Sequence, residues 1–269
     1  MIKLIALDID GTLVGHDLNI APRVRAAIAR ALERNVAVTL ATGRGAEPTQ
    51  IFAAQLHLTT PLVCLQGAQV YDAVNARSLH ESRLAPEVVP WIVAHAAERD
   101  WHVHFETPSM VYMPNSQRPP EVLRALFRVT ATTHVEDFLT GMPEVPTKFL
   151  VSVHDPAERD AVEADLRRLL RADGMAIDLM NSHPNFVEGL PPGISKASGL
   201  SWLCAHLGVA AAEVLAIGDN DNDIAMLEWA GLGVAMSNAS PGARAVADWI
   251  APPVDEDGAA VAIEKFALT

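Results

Sequence analysis

The chain has 269 residues, half of them apolar and a fifth charged, which is the profile of a folded protein with a sizeable core and excludes a disordered one. Its net charge of -13 leaves no basic excess for a nucleic acid or an anionic membrane, although a small anion could be received by a metal or by local cations. The two cysteines, Cys64 and Cys204, lie far apart in apolar stretches, so they read as core residues of a reducing compartment and not as a disulfide or zinc framework.

The first apolar run, Ile2 to Ile9, reads as a short buried strand. It is cut off by Asp8 too early for a signal peptide, and no run reaches the ~18 apolar residues of a membrane span, so a cytoplasmic protein is expected. Pro22 to Asn35 reads as a helix, because Val24, Ala27, Ile28, Ala31 and Leu32 recur at helical spacing and Pro22 suits a first turn. Ala21 offers no side-chain cap there. Val36 to Leu40 is a second buried strand, Pro48 to Leu56 a helix, and Leu62 to Leu65 a third strand. That alternation implies a parallel sheet with crossover helices.

From about Arg83 to Phe186 the pattern changes. Stretches such as "WHVHFE", "MVYM" and "KFLVSV" alternate apolar and polar residues, as half-exposed strands of an antiparallel sheet do. His102, His104 and Glu106 then share one face of a strand, either as a solvated polar face or as one that reads a substrate's hydroxyls. "DPAERDAVEADLRRLLR" is an amphipathic helix with Asp155 as its cap and Pro156 at its first position. The buried pattern returns with a helix over Lys196 to Leu207, a strand over Val214 to Ile217, a helix over Asp223 to Ala230 and a strand over Leu232 to Ala235. Two sheet styles give two domains, one inserted in the other: 1–82 with 189–269, and 83–188 between them. Both joins, "ESRLAPE" and "VEGLPPG", carry proline.

Four short stretches sit where buried strands end or the next helix begins: "DIDGT", "ATGR", "GISK" and "GDNDND". In open α/β sheets that edge binds ligands. It gathers Asp8, Asp10, Asp219, Asp221 and Asp223 against Lys196 and Arg44, so a cation is needed, and oxygen ligands without His or Cys point to Mg2+. A metal, a lysine, a threonine hydroxyl and glycine-containing turns are also what holds a phosphoryl group. "GDNDND" lacks the twelfth-position glutamate of an EF-hand, and the G-x-x-x-x-G-K-[ST] loop of nucleotide hydrolases is missing.

In these four motifs the sequence resembles the haloacid dehalogenase superfamily of phosphohydrolases, and within it the Cof-like, sugar-phosphatase-type branch. "DIDGT" matches the first motif, Thr42 of "ATGR" the second, Lys196 the third and "GDNDND" the fourth. "LQGAQVYD" is similar to the branch's Asn-Gly segment, with Gln66 where asparagine is common. The resemblance implies a doubly wound, Rossmann-like parallel core with an inserted α/β cap. It further implies that Asp8 attacks phosphorus to form an aspartyl-phosphate and that Asp10 serves as acid and then base. Magnesium would be held by Asp8, the Asp10 carbonyl and Asp219, with Asp223 direct or through water. Thr42, Gly43 and Lys196 would meet the phosphoryl group, Asn222 would orient it or a metal water, and Arg44 would reach toward the substrate or pair with a carboxylate. A small phosphate ester is the expected partner, with no nucleic acid and no membrane. Two alternatives stay open. One is a phosphomutase, for which the insert supplies Arg118, Arg124, Arg128, Arg159, Arg167, Arg168 and Arg171. The other is a non-catalytic receiver-type switch.

Overall fold

The computed structural model describes residues 1–115 and 131–269. It divides into two compact units, Met1–His80 with Ser195–Thr269, and Glu81–Ile194. The first opens with β1 (Leu4–Leu7), α1 (Pro22–Glu33), β2 (Ala37–Leu40), α2 (Ala46–Gln55), β3 (Leu62–Cys64), β4 (Gln69–Asp72) and β5 (Arg77–Glu81). The second holds α3 (Val88–Arg99), β6 (His102–Glu106), β7 (Val111–Pro114), β8 (Thr132–Val135), β9 (Lys148–Ser152), α4 (Arg159–Asp173), β10 (Asp178–His183) and β11 (Phe186–Leu190). The chain returns to the first through α5 (Lys196–Leu207), β12 (Val214–Gly218), α6 (Ile224–Trp229), β13 (Leu232–Met236), α7 (Pro241–Val246), β14 (Trp249–Ala251) and α8 (Gly258–Phe266). Among the described residues no helix is long and apolar enough to cross a membrane.

The first unit is a five-stranded, all-parallel sheet in the order β14-β13-β12-β1-β2. Its strands are short and apolar on both sides, as a parallel sheet covered on two faces requires. Leu4, Ala6, Val214 and Ala216 pack on Leu200 and Leu203 of α5, while α1 lies beside α8, tied by Arg23 to Glu264 at 2.7 Å. Pro22 starts α1 and Ala21 gives it no side-chain cap. The sheet is doubly wound: from β1 the chain goes to β2 on one side and later to β12 on the other. The switch point, where ligands of such sheets bind, therefore lies between β1 and β12.

The third strand departs from expectation. β3 pairs antiparallel with β4 in a separate three-stranded sheet with β5, and meets the parallel sheet only at the single bridge Ala41–Val63. The chain turns sharply at Leu65 and Gln66, both at positive φ, before a longer parallel ladder can form. Both cysteines are buried and unpaired with each other.

The second unit is a six-stranded sheet in the order β10-β11-β9-β6-β7-β8, mostly antiparallel, with β7 and β8 parallel to each other. One face carries Val103, Phe105, Phe149, Val151 and Val187 against Ile92 of α3 and Leu166 of α4. On the other lie His102, His104 and Glu106, and the expectation of a solvated face fails: all three are buried, His104 completely. For Glu106 a neighbouring strand supplies the reason: Lys148 of β9 sits 2.7 Å from Glu188 of β11 and 3.5 Å from Glu106, so a buried cation accompanies the two carboxyl groups. Burial is the largest influence on Glu106 and raises its carboxyl to about 7 against the pull of Lys148. Alternation thus reported polarity correctly and exposure wrongly.

Asp155 caps a 3-10 turn over Pro156–Glu158, and α4 proper begins one residue later. Arg159, Arg167 and Arg168 pair there with Asp160, Glu163 and Asp165. Arg118, Arg124 and Arg128, three of the arginines counted toward the phosphomutase alternative, lie outside the described residues.

Candidate active site

The site grows from the ends of adjacent parallel strands. Leu7 of β1 lies opposite Ile217 of β12, and the Asp8 amide donates to the Ile217 carbonyl at 3.0 Å. This register carries Asp8 and Asp219 out of the same sheet edge side by side. The loop after Asp8 turns at Gly11, where φ is +89 and a Cβ would stand 2.2 Å from Asp219 Oδ2. Only glycine gives both the conformation and the room. Thr12 closes the contact, its hydroxyl donating to Asp219 Oδ1 at 2.9 Å.

Lys196 is the first residue of α5, whose N-cap is Ser195. Its Nζ, buried at the base of the site, donates to Asp8 Oδ1 and to Asp223 Oδ1, each at 2.6 Å. Burial disfavours the ammonium, but Asp223 and Asp8 outweigh it and hold the lysine above its ordinary range. Asp223 also accepts from the Asp219 and Asn220 amides at 2.8 and 2.9 Å, so both its oxygens are engaged in shaping the loop and anchoring Lys196.

Oxygens of Asp8, Asp219 and Asp223 lie within 4.8 Å of one another. Burial, then the neighbouring carboxylates, raises Asp8 well above an ordinary aspartate despite Lys196. Burial and Asp223 likewise bring Asp219 up to about 6. Three carboxylates against one ammonium leave an excess of negative charge that a divalent cation with oxygen ligands would neutralise. A second observation fits the same ion: Asn222 Oδ1 is buried with no hydrogen-bond partner among the described residues.

Asp10 does not join this trio through its side chain. Arg44 grips it in a fork, Nε to Oδ2 at 2.8 Å and Nη2 to Oδ1 at 2.6 Å, while the guanidinium lies over the Phe52 ring. Of the two roles open to Arg44, this structure shows the pairing. Thr42 is buried just past β2, and its hydroxyl accepts from the Arg44 amide at 3.2 Å. Gly43 packs under the Gln66 carboxamide. Asn222 donates through Nδ2 to Gln66 Oε1 at 3.0 Å. Asp221 stands aside and accepts from Ser240.

One residue escaped the sequence reading. Asn238, after β13, donates to the Gly11 carbonyl at 3.0 Å and accepts from the Val254 amide at 3.0 Å, clamping the Asp8 loop to the C-terminal chain. Its place at the end of another buried strand, on the same edge as the four motifs, was the available signal.

A sheet wound in this order, with aspartates of β1 and β12 around a buried lysine, defines a phosphoryl-transfer core of the haloacid dehalogenase type. The family model for haloacid dehalogenase-like hydrolases matches residues 5–263, and the chain belongs to that family. Among its relatives, the 5-amino-6-(5-phospho-D-ribitylamino)uracil phosphatase YcsE of Bacillus subtilis is 30% identical over 99% of this chain and 96% of its own. The HMP-PP phosphatase of Serratia proteamaculans is 32% identical over 90% of this chain and 86% of its own. A haloacid dehalogenase-like hydrolase from Bacteroides thetaiotaomicron, solved by crystallography, superposes with a TM-score of 0.86 at 31% identity, covering 98% of this chain and 99% of that one. The protein is a phosphoric monoester hydrolase of this superfamily.

Proposed function

We propose that the protein hydrolyses a small phosphate monoester with Mg2+ and through a phosphoryl group carried on Asp8. The observation that supports this most is the buried cluster of Asp8, Lys196, Asp219 and Asp223 at the switch point of the sheet. Asp8 and Asp219, with the Asp10 carbonyl, are the groups to hold magnesium, with Asp223 direct or through water. When bound, the ion supplies positive charge against the carboxylates and the transferring phosphoryl oxygens.

Lys196 fixes the Asp8 carboxylate for in-line attack and, with the Thr42 hydroxyl and the Gly43 turn, meets charge building on the phosphoryl oxygens, while Asn222 orients a metal water. Asp10 delivers a proton to the leaving oxygen and then takes one from the hydrolytic water, and reaching the leaving oxygen calls for release of the two-bond fork with Arg44. We assign substrate choice to the inserted unit.

Two relatives are named for different small phosphorylated compounds, which supports a small ester without choosing between them. The test is turnover of p-nitrophenyl phosphate with and without magnesium, followed by kcat/KM across a panel of sugar and other phosphate esters. Full activity in excess EDTA, or none on any ester with magnesium, overturns the reading.

A further inference from the structure

Gln66 stands in an expensive piece of backbone. Leu65, Gln66 and Gly67 all have positive φ, at 51°, 60° and 96°. Two successive non-glycine residues in that region carry strain, which persists only where the surroundings over-determine it. Here they do. The Leu65 amide donates to the Arg44 carbonyl at 2.9 Å and the Gln66 amide to the Thr42 carbonyl at 3.0 Å. On the other side, a Cβ on Gly67 would lie 2.0 Å from the Ser195 carbonyl, so the turn is pressed against the cap of the Lys196 helix.

The result places a fully buried carboxamide between two motifs. Gln66 Nε2 lies so close over Gly43 that a Cβ there would approach it to 2.5 Å. Gln66 Oε1 accepts from Asn222 Nδ2 at 3.0 Å. An amide side chain can be turned either way, and its two ends attract opposite ligands. By taking Nδ2, Gln66 leaves the Asn222 oxygen as the end still to be satisfied, buried and without a hydrogen-bond partner among the described residues. Phosphoryl oxygens carry no proton to give it at neutral pH. A cation, or water held on a cation, meets that oxygen's need.

We propose that Gln66 is a positioning residue for the magnesium site: it fixes the orientation of the Asn222 amide and thereby presents Oδ1 to the ion or its water. The inference rests on the reading of the site as magnesium-dependent and adds to it a residue outside the four motifs. Gln66 acts only through Asn222, so its effect disappears once Asn222 is gone.

The experiment is calorimetric titration of Mg2+ into the full chain and its Gln66→Met, Asn222→Ala and doubly substituted forms, with melting temperatures and p-nitrophenyl phosphate turnover measured in parallel. Gln66→Met should weaken magnesium binding by about tenfold, the lower end for groups that orient metal ligands. Asn222→Ala should weaken it at least as much, and the double variant no more than Asn222→Ala alone. Where Gln66→Met fails to fold, Gly43→Ala displaces the carboxamide without removing it and should give a comparable loss that vanishes in the Asn222→Ala background. Wild-type magnesium affinity in Gln66→Met, or the same tenfold loss added on top of Asn222→Ala, overturns the proposal. So does a wild-type chain that binds no magnesium. A wild-type chain that binds magnesium but hydrolyses no ester removes the proposed function and leaves the positioning role standing. Ester hydrolysis with an unaffected Gln66→Met does the reverse.

Discussion

Replacing Asp219 with Asn should make the metal-free protein more stable while destroying the magnesium-dependent activity proposed above. Asp219 is held near pH 6 against an ordinary 3.8, chiefly by burial and then by Asp223. At about 1.4 kcal/mol per pH unit, that displacement is worth about 3 kcal/mol. The sign follows from linkage. A carboxyl whose folded pKa lies above its unfolded one favours folding while protonated, and that advantage is lost as pH rises through about 6. Relative to a neutral Asn, the wild type is therefore penalised in full above pH 7 and by only about 1 kcal/mol at pH 4.5. Asn keeps an oxygen for the Thr12 hydroxyl, so little is lost in exchange. In EDTA at pH 8 the variant should melt higher by roughly 6–12 °C, taking ~2–4 °C per kcal/mol for a domain of this size. At pH 4.5 the gain should shrink to a third. Magnesium at 100 times its dissociation constant should return about 2.7 kcal/mol to the wild type and little to the variant. Scanning calorimetry at the two pH values reads all of this. A variant no more stable than wild type at pH 8, or one gaining equally at both, would refute the electrostatic account of the site.

Asp10→Asn should slow a sugar phosphate by roughly 10²–10⁴-fold, the range for one acid–base group. With p-nitrophenyl phosphate, whose leaving group needs no proton, it should instead give a burst and a phosphoryl adduct on Asp8 in intact-protein mass spectra; equal loss on both substrates without an adduct would make Asp10 a structural residue. Lys148→Met strips the ammonium from between Glu106 and Glu188 and should destabilise the inserted unit by about 3–5 kcal/mol, more at pH 8 than at pH 6, where Glu106 is protonated more readily. Urea melts followed by tryptophan fluorescence would show it, and an unchanged midpoint would mean the trio is not a net ion network. Gly67→Ala drives a Cβ into the Ser195 carbonyl and should lower both melting temperature and turnover; a variant matching wild type in both would show that the turn yields freely.

Three of the motifs were legible because each follows a short buried run that reads as a strand covered on both faces, and "GISK" because it opens a helix. The parallel sheet and its ligand-binding edge follow from that. The ends of the chain were harder: β14 has three residues and α7 six, too short for any periodicity to declare itself. Contacts across long sequence gaps were not legible at all. Nothing in "GISK" says that Lys196 meets both Asp8 and Asp223, and nothing in "LQGAQ" says that Gln66 reaches Asn222. The expected exposure of the "WHVHFE" strand failed for the same reason, since the Lys148 that accompanies its buried Glu106 comes from another strand.

The strand that carries Asp8 has a further consequence for how the protein is made. β1 is central, flanked by β2 and by β12, and Leu4 pairs with Val214. A ribosome adding ~5–20 residues per second needs roughly 10–40 s between making those two strands. Throughout that time β1 has one apolar edge open, and sequestering it is a task for chaperones or for transient burial in the nascent chain. Lys196, Asp219 and Asp223 arrive only at the end of that interval. Asp8 is therefore made long before the groups that surround it, and a chain terminated between them has an open strand edge and lacks the buried cluster of Asp8, Lys196, Asp219 and Asp223.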